Sequence, residues 1–509
     1  MAARRRARLA RAMHLAAQPP DPGAAPPIWS QPRRLAVLGF AASLAIGLAV
    51  ALGWALTNAG AVVGLTLAAL GMLAVSVAFA ARFTRSERVV GAVAVSSAWA
   101  RAIDVTLVWV FVESSWPALY RGPGGVRIAD VAALGLAVVG PRAFAALRSR
   151  YLVLMAVSFV LLCVGAALAA TRSGGTSADL DAMLRAGFVL LVLPVALVRH
   201  VTTERRLRLC LVAVVASATV ASLAAILTKL TGAWLLPFAD HFEGTRAYGL
   251  STHPILFGMI VGSAIPVAIA VAWVGGFRER ALAWVSLPLL VAGVVLSASR
   301  APVLAAGGSV AAFLVVLSRI RLGMAFRFAA VVIVSAGIWG AVFSSSVARL
   351  TSGKADQSSA LRLEILEEAA NEIRAHPLVG QGAGVIKGVG GLSPRPTYVQ
   401  RTSTGEPLPG AGANNVVVQA WRALGLLGVV GLMLAVVGPV TAGLRAVKRG
   451  SAATRTYCMA MLASLGVVLG SLFLANEAFE RRLWLTLGLL IAVAVNQLAR
   501  GWREREATE

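Results

Sequence analysis

The sequence predicts an all-α protein, a polytopic transmembrane helix bundle of about 12–14 spans with one large loop that contains an amphipathic helix. Of the 509 residues, 58% are hydrophobic and only 14% are charged, whereas soluble domains have about 45–50% apolar and about 25% charged residues. The mean hydropathy is +0.79. The apolar residues are also grouped into runs of about 20, the length that a helix needs to cross the hydrocarbon core. A cytosolic enzyme, a disordered chain and a nucleic-acid-binding protein are all poor fits to this pattern.

Apolar runs divide the chain into five parts. Residues 1–34 form a basic, Pro-rich tail, predicted to be disordered and cytoplasmic. The run 35–56 is longer than the apolar region of about 7–15 residues in a cleaved signal peptide, so we expect a retained first helix. About 11 spans fill residues 35–344, a large loop fills 345–412, about three spans fill 413–499, and a second cytoplasmic tail fills 500–509. The candidate spans are 35–56, 61–81, 97–114, 128–147, 151–170, 184–200, 209–230, 254–275, 281–298, 302–318, 325–344, 413–440, 456–476 and 483–499.

The basic residues predict the orientation of the bundle. The formal net charge is +25, and cytoplasmic loops of membrane proteins carry an excess of Lys and Arg. With a cytoplasmic amino terminus, every short inside connection is basic, and about twice as many basic residues lie inside as outside. Both termini are therefore predicted to be cytoplasmic. Most of the net charge then reflects topology and not a nucleic-acid partner.

Common catalytic and metal-binding motifs are absent from the sequence. It contains no P-loop, no Gly-x-Gly-x-x-Gly after a strand and no His-Glu-x-x-His, which excludes a cytoplasmic ATPase or kinase domain. Its three cysteines each lie in an apolar run and form neither a disulfide framework nor a metal site. We therefore predict no metal ligands.

Two arginines on the predicted outer side are the main candidates for chemistry. Arg246 lies in the connection 231–253, and Arg300 lies in a tight turn between two spans. An arginine embedded in the membrane is costly without a partner. Each could reach lipid phosphate by itself, but two on the same outer face favour a bound phosphate or diphosphate.

The large loop, 345–412, is predicted to carry a helix at about 358–374. Its leucines, isoleucines and alanines form an apolar face, with glutamates largely opposite. Such a helix rests on the membrane surface or covers a cavity. A glycine-rich turn follows His376, and we expect its glycines to allow close packing.

Four of these features, in this order, resemble the O-antigen ligase and polymerase superfamily of bacterial membrane glycosyltransferases. The resemblance extends over about residues 235–440. The motifs are Arg246-Ala-Tyr-Gly249 before a span, the Ser299-Arg300 turn, the His376-Pro-Leu-x-Gly-x-Gly segment, and Asn415 followed by Gly425-Leu-Leu-Gly428.

This resemblance implies an inverting transfer without a cofactor, a nucleotide sugar or a required metal. The donor would be an undecaprenyl-diphosphate-linked glycan and the acceptor a glycan or lipid-anchored glycan. The enzyme would lie among the lipids of the bacterial inner membrane, with its large loop and active site in the periplasm. Arg246 and Arg300 would hold the donor diphosphate. The residues implied for catalysis are Arg246, Arg300, Asn414 and His253, and those implied for substrate binding are Arg246, Arg300, Asn415, His376 and Arg481.

One position departs from the family pattern. Ligases of this family usually have His-Asn where this chain has Asn414-Asn415. An asparagine amide orients a hydroxyl but cannot take its proton near neutral pH. Either another base serves, with His253, Glu243 and His376 as candidates, or departure of the diphosphate drives the reaction with little help from a base.

The departure keeps other interpretations open. A polymerase or another surface-glycan transferase remains as compatible as a ligase. A lipid-linked oligosaccharide flippase is the alternative from another functional class, although the single large loop is unlike the two similar halves expected of one. A catalytically inactive relative that only binds lipid-linked glycan is the third hypothesis.

Overall fold

A computed structural model describes residues 92–116, 128–138, 149–173, 183, 185–231, 246–251, 253–351, 366–367, 369–381, 399–401, 407–409, 415–472 and 481–499. The first two predicted spans and both predicted tails lie outside these residues. So do Asn414 and Glu243.

The described residues are almost entirely helical, which confirms the predicted all-α bundle. The helices are α1 (Ala92–Ser114), α2 (Ile128–Val138), α3 (Arg150–Ser173), a π-helical segment (Phe188–Val192) followed by α4 (Leu193–His200), α5 (Glu204–Thr231), α6 (Pro254–Val274), α7 (Phe277–Leu296), α8 (Arg300–Ser318), α9 (Leu322–Val342), α10 (Ser344–Thr351), α11 (Val416–Arg449), α12 (Ala452–Leu472) and α13 (Arg481–Ala499). Within the large loop, β1 (Val399–Arg401) pairs antiparallel with β2 (Pro407–Pro409).

Eight helices of the described part are long and apolar enough to cross a membrane. They are α3, α5, α6, α7, α8, α9, α11 and α12. Each coincides with a predicted span to within a few residues at most ends. The predicted span 413–440 differs most, because α11 continues as a helix to Arg449.

The centre of the bundle is α6, and α9 lies at its edge. The most apolar stretch of α6 is completely buried, whereas only 17% of that of α9 is. Lipid is as apolar as a leucine side chain, so an apolar helix is stable both at the centre and at the edge of the bundle. Which helices associate depends on how closely they can pack. Small residues permit such packing between α3 and α11, where a Cβ on Gly165 would lie 2.6 Å from the carbonyl oxygen of Leu424.

Polar contacts join connections that the sequence assigns to the same side of the membrane. On the predicted inner side, Arg208 of α5 pairs with Glu279 of α7 at 3.1 Å, and the hydroxyl of Ser451 donates to Glu204. On the outer side, Glu113 near the end of α1 accepts from the backbone N–H of Ala129 at 2.7 Å. The alternation of inside and outside connections is therefore consistent with the fold.

Candidate functional site

Arg246 is attached to the turn that carries Arg300. Its Nη2 donates to the hydroxyl of Ser299 at 2.9 Å, and that hydroxyl donates to the carbonyl of Ser297 at 2.9 Å. The backbone of the next residue, Ala247, bonds to the carbonyl of Leu296 at 2.9 Å. Residues 53 positions apart in the chain are thus held at one end of α7 and α8.

The turn between α7 and α8 has an unusual backbone. Ala298 has φ 44°, in the left-handed region that residues with a Cβ seldom occupy, and such conformations are concentrated at functional sites. It is followed by Ser299, which lies at the N-cap of α8 but makes no side-chain capping bond there. Its hydroxyl holds Arg246 instead. The turn therefore brings two guanidinium groups to the amino end of a helix, where the helix dipole also favours an anion.

Arg300 is the first residue of α8 and is fixed by a backbone group. Its Nε donates to the carbonyl of Leu350, near the end of α10, at 2.6 Å. We call the turn between α7 and α8, residues 297–300, the arginine turn. The contact with Leu350 connects it to the start of the large loop, because α10 ends at Thr351. A guanidinium held through Nε has its planar group of terminal N–H donors fixed in direction.

His253 is the N-cap of α6. Its Nδ1 accepts from the backbone N–H of Ile255 at 3.2 Å. A neutral imidazole has one protonated and one unprotonated nitrogen, so neutral His253 carries its proton on Nε2. While it caps the helix it is a hydrogen-bond donor at Nε2 and not an acceptor.

Arg481 forms an ion pair with Asp130 of α2, and both side chains are largely buried. The predicted substrate contact is thereby part of a bond between α13 and α2. The adjacent Arg482 is 1% exposed and donates to the hydroxyls of Ser263 and Ser115, at 3.3 and 3.4 Å.

The predicted helix in the large loop is described at residues 366–367 and 369–375. It ends at His376, whose backbone N–H bonds to the carbonyl of Glu372 at 3.0 Å and whose side chain is exposed. The helix therefore stops at the position that the sequence predicts.

An ion pair connects this loop helix to the first turns of α11. Glu372 receives two contacts from Arg422, one from Nε and one from Nη2 at 3.1 Å. The side chain of Arg422 is 2% exposed. Two further bonds join the same segments, from Trp421 Nε1 to the carbonyl of Pro377 at 2.8 Å and from the backbone N–H of Gln381 to the carbonyl of Arg422 at 2.9 Å. We call this contact, made by Glu372, Pro377, Gln381, Trp421 and Arg422, the loop clamp.

Two glycines make the loop clamp possible. Gly425 has φ 66° and kinks α11, and a Cβ at this position would lie 2.2 Å from the carbonyl oxygen of Leu378. A Cβ on Gly380 would lie 2.2 Å from the backbone of Ala423. The prediction that the glycine-rich turn allows close packing is confirmed for Gly380.

Asn415 caps α11. Its Oδ1 accepts from the backbone N–H groups of Val417 and Val418, at 2.9 and 3.2 Å. Such caps stabilise a helix by about 1 kcal/mol. With Oδ1 occupied, the side chain has its amide N–H groups as donors for a ligand.

The loop clamp is the feature that sequence reasoning missed. In the sequence, Glu372 is one of several glutamates on the polar face of the predicted loop helix. Arg422 is an isolated charge within a predicted span. The cost of an arginine within a span was the available signal, but the sequence does not indicate which acid satisfies it.

The family comparison agrees with these motifs. Residues 284–433 match the family model described as O-antigen ligase. The match includes Arg300, the loop clamp and Asn415, whereas Arg246 and His253 precede it. No curated protein matches the chain. Residues 284–433, carried on a helical membrane fold, are therefore similar to the O-antigen ligase family.

Proposed function

We propose that this protein transfers a glycan from an undecaprenyl-diphosphate carrier to a hydroxyl of an acceptor sugar, at the outer face of the inner membrane. The acceptor is a glycan or a lipid-anchored glycan, and the anomeric centre is inverted without a metal ion. The observation that carries the proposal is the pairing of Arg246 with the turn of Arg300 through Ser299. The similarity of residues 284–433 to the O-antigen ligase family supports it.

The two arginines would bind the donor and stabilise its leaving group. The acceptor hydroxyl oxygen forms a bond to the anomeric carbon and loses its proton to water, and the bond from that carbon to the diphosphate oxygen breaks. The diphosphate leaves with the electron pair, so its negative charge grows in the transition state. Guanidinium groups fixed in advance by Ser299 and by the Leu350 carbonyl stabilise this charge without having to reorganise.

His253 is better suited to donate a hydrogen bond than to act as a base. Its Nδ1 already accepts from Ile255, so taking a proton there would require the cap of α6 to break. Protonated Nε2 can donate to a diphosphate oxygen. This favours a reaction in which Asn414 orients the acceptor hydroxyl and departure of the diphosphate provides most of the driving force.

Analysis of the glycans that accumulate in a deletion strain tests the proposal. Loss of the finished glycan, with polymer accumulating on undecaprenyl diphosphate at the periplasmic face, identifies a ligase. Single repeat units on the carrier identify a polymerase. Accumulation at the cytoplasmic face would contradict the proposal and identify a flippase.

Two single substitutions examine the departure from the family pattern. We expect Asn414→Ala to lower glycan transfer by about 10-fold or more, because a positioning hydrogen bond is lost, and His376→Ala to lower it less. The measurement is transfer in membranes that contain equal amounts of each variant. A larger loss for His376→Ala would move the base to the loop.

A further inference from the structure

The predicted inner end of the bundle carries two arginines around one tyrosine. Tyr151, at the start of α3, is 2% exposed. The guanidinium carbon of Arg150 lies 5.1 Å from the centre of its ring and that of Arg445, on α11, lies 5.9 Å from it. Both arginines also donate to the tyrosine hydroxyl, Arg150 at 3.3 Å and Arg445 at 2.8 Å. Two cations are thus held at one aromatic side chain.

No carboxylate among the described residues neutralises this pair. Neither guanidinium takes part in an ion pair in that part of the chain. Glu204, at the same end, accepts instead from the hydroxyls of Ser451 and Thr454. Further positive charge follows on the next turn of α11, at Lys448 and Arg449. Two positive charges held close together are stabilised by an anion between them. The N–H donors of guanidinium groups fit the geometry of phosphate oxygens.

An apolar groove begins directly after Tyr151. It runs along the outward face of α3, where the side chains of Val153, Val157 and Val160 are 50, 43 and 57% exposed. From Val153 to Val160 the helix rises about 10 Å, a length comparable with part of an acyl chain. The lining residues are Leu152, Val153, Ala156, Val157, Val160 and Leu161.

We propose that α3 and α11 form a binding site for an anionic phospholipid of the inner leaflet, with its phosphate between Arg150 and Arg445 and an acyl chain along the α3 groove. The inner leaflet follows from the predicted orientation, since the connections at this end are the basic ones. The charge of the arginine pair selects anionic headgroups over zwitterionic ones. The groove selects a lipid over a free phosphate. The site lies away from the arginine turn and is independent of the proposed transfer reaction.

Native mass spectrometry of the purified full-length protein tests this site. Phosphatidylglycerol, phosphatidylcholine and inorganic phosphate are added separately, and phosphate is also added as a competitor. We expect phosphatidylglycerol to bind more tightly than phosphatidylcholine. Removal of basic residues near a membrane surface weakens anionic lipid binding by about fivefold for each arginine, so Arg150→Ala/Arg445→Ala should weaken phosphatidylglycerol binding by about 25-fold.

Two further variants distinguish specific lipid binding at this site from a non-specific effect of positive charge. Val157→Trp fills the groove at an exposed position and leaves both arginines in place, so we expect it to weaken phosphatidylglycerol binding as well. Arg319→Ala/Arg321→Ala removes the same charge from the same end, at exposed positions, and should bind like the wild type.

Three results would overturn the assignment. The first is an equal loss in the Arg319→Ala/Arg321→Ala control, which would show a non-specific effect of charge. The second is unchanged lipid binding in Arg150→Ala/Arg445→Ala. The third is normal binding in Val157→Trp together with displacement of the lipid by inorganic phosphate, which would identify a site for a small anion.

Discussion

Replacing Arg300 by alanine is expected to lower glycan transfer by at least about 100-fold, since loss of one preorganised donor to a developing negative charge reduces kcat by about 10²–10³. Arg246→Ala should have an effect of the same order, because its guanidinium is held at the same turn by Ser299. Arg300→Lys keeps the charge but loses the paired N–H donors of the planar guanidinium and the Nε bond to Leu350. It should therefore retain only a small part of the activity.

The measurement for these variants is surface glycan produced at matched protein levels in the membrane. Arg374→Ala is the matched control, because Arg374 also lies on the predicted outer side, is exposed, and bonds to Asn371 of its own helix at 2.9 Å. It should transfer glycan at the wild-type level. Normal glycan in both Arg246→Ala and Arg300→Ala would show that these arginines do not hold the donor.

Breaking the ion pair of the loop clamp is expected to lower the free energy of unfolding by about 3 kcal/mol, as for other buried pairs that lose one partner. The side chains of Arg422 and Glu372 are 2% and 21% exposed, so either one left alone remains largely without water. Arg422→Met is the sharper variant, because it preserves much of the side-chain volume. Glu372→Gln removes the carboxylate that contacts Arg422.

A double-mutant cycle measures the pair directly. Removal of both partners in Glu372→Gln/Arg422→Met should cost clearly less than the sum of the single variants, as expected for groups in contact. The readout is thermal unfolding of the detergent-purified protein, with Arg374→Ala again as the control. Additive losses would show that the clamp is held by its backbone bonds and that the ion pair contributes little.

Prediction succeeded where each property depends on a short stretch of sequence. The apolar runs marked the helices, because the membrane imposes one length and one composition on every span. The end of the loop helix at His376 followed from the proline after it. The roles of Arg246 and Arg300 stay a prediction, based on the cost of charge on an outer face with few basic residues.

Prediction failed for contacts between distant segments. Arg422 and Glu372 are 50 residues apart, and the sequence contains several glutamates that could equally have been its partner. The ion pair between Arg481 and Asp130, 351 positions apart in the chain, was not predicted either; the substrate contact of Arg481 stays a prediction. Nothing local to either residue encodes such a choice.

The sequence by itself thus determined that this is a helical membrane protein. It also predicts that the basic connections face the cytoplasm and that Arg246 and Arg300 lie on the outer side. Hydropathy and charge act on each segment separately, so a linear reading is sufficient for them. Only the tertiary structure decided that Ser299 of the turn before Arg300 bonds to Arg246 and that Glu372 pairs with Arg422. These roles depend on groups that come within hydrogen-bonding distance, about 3 Å, only when the helices pack.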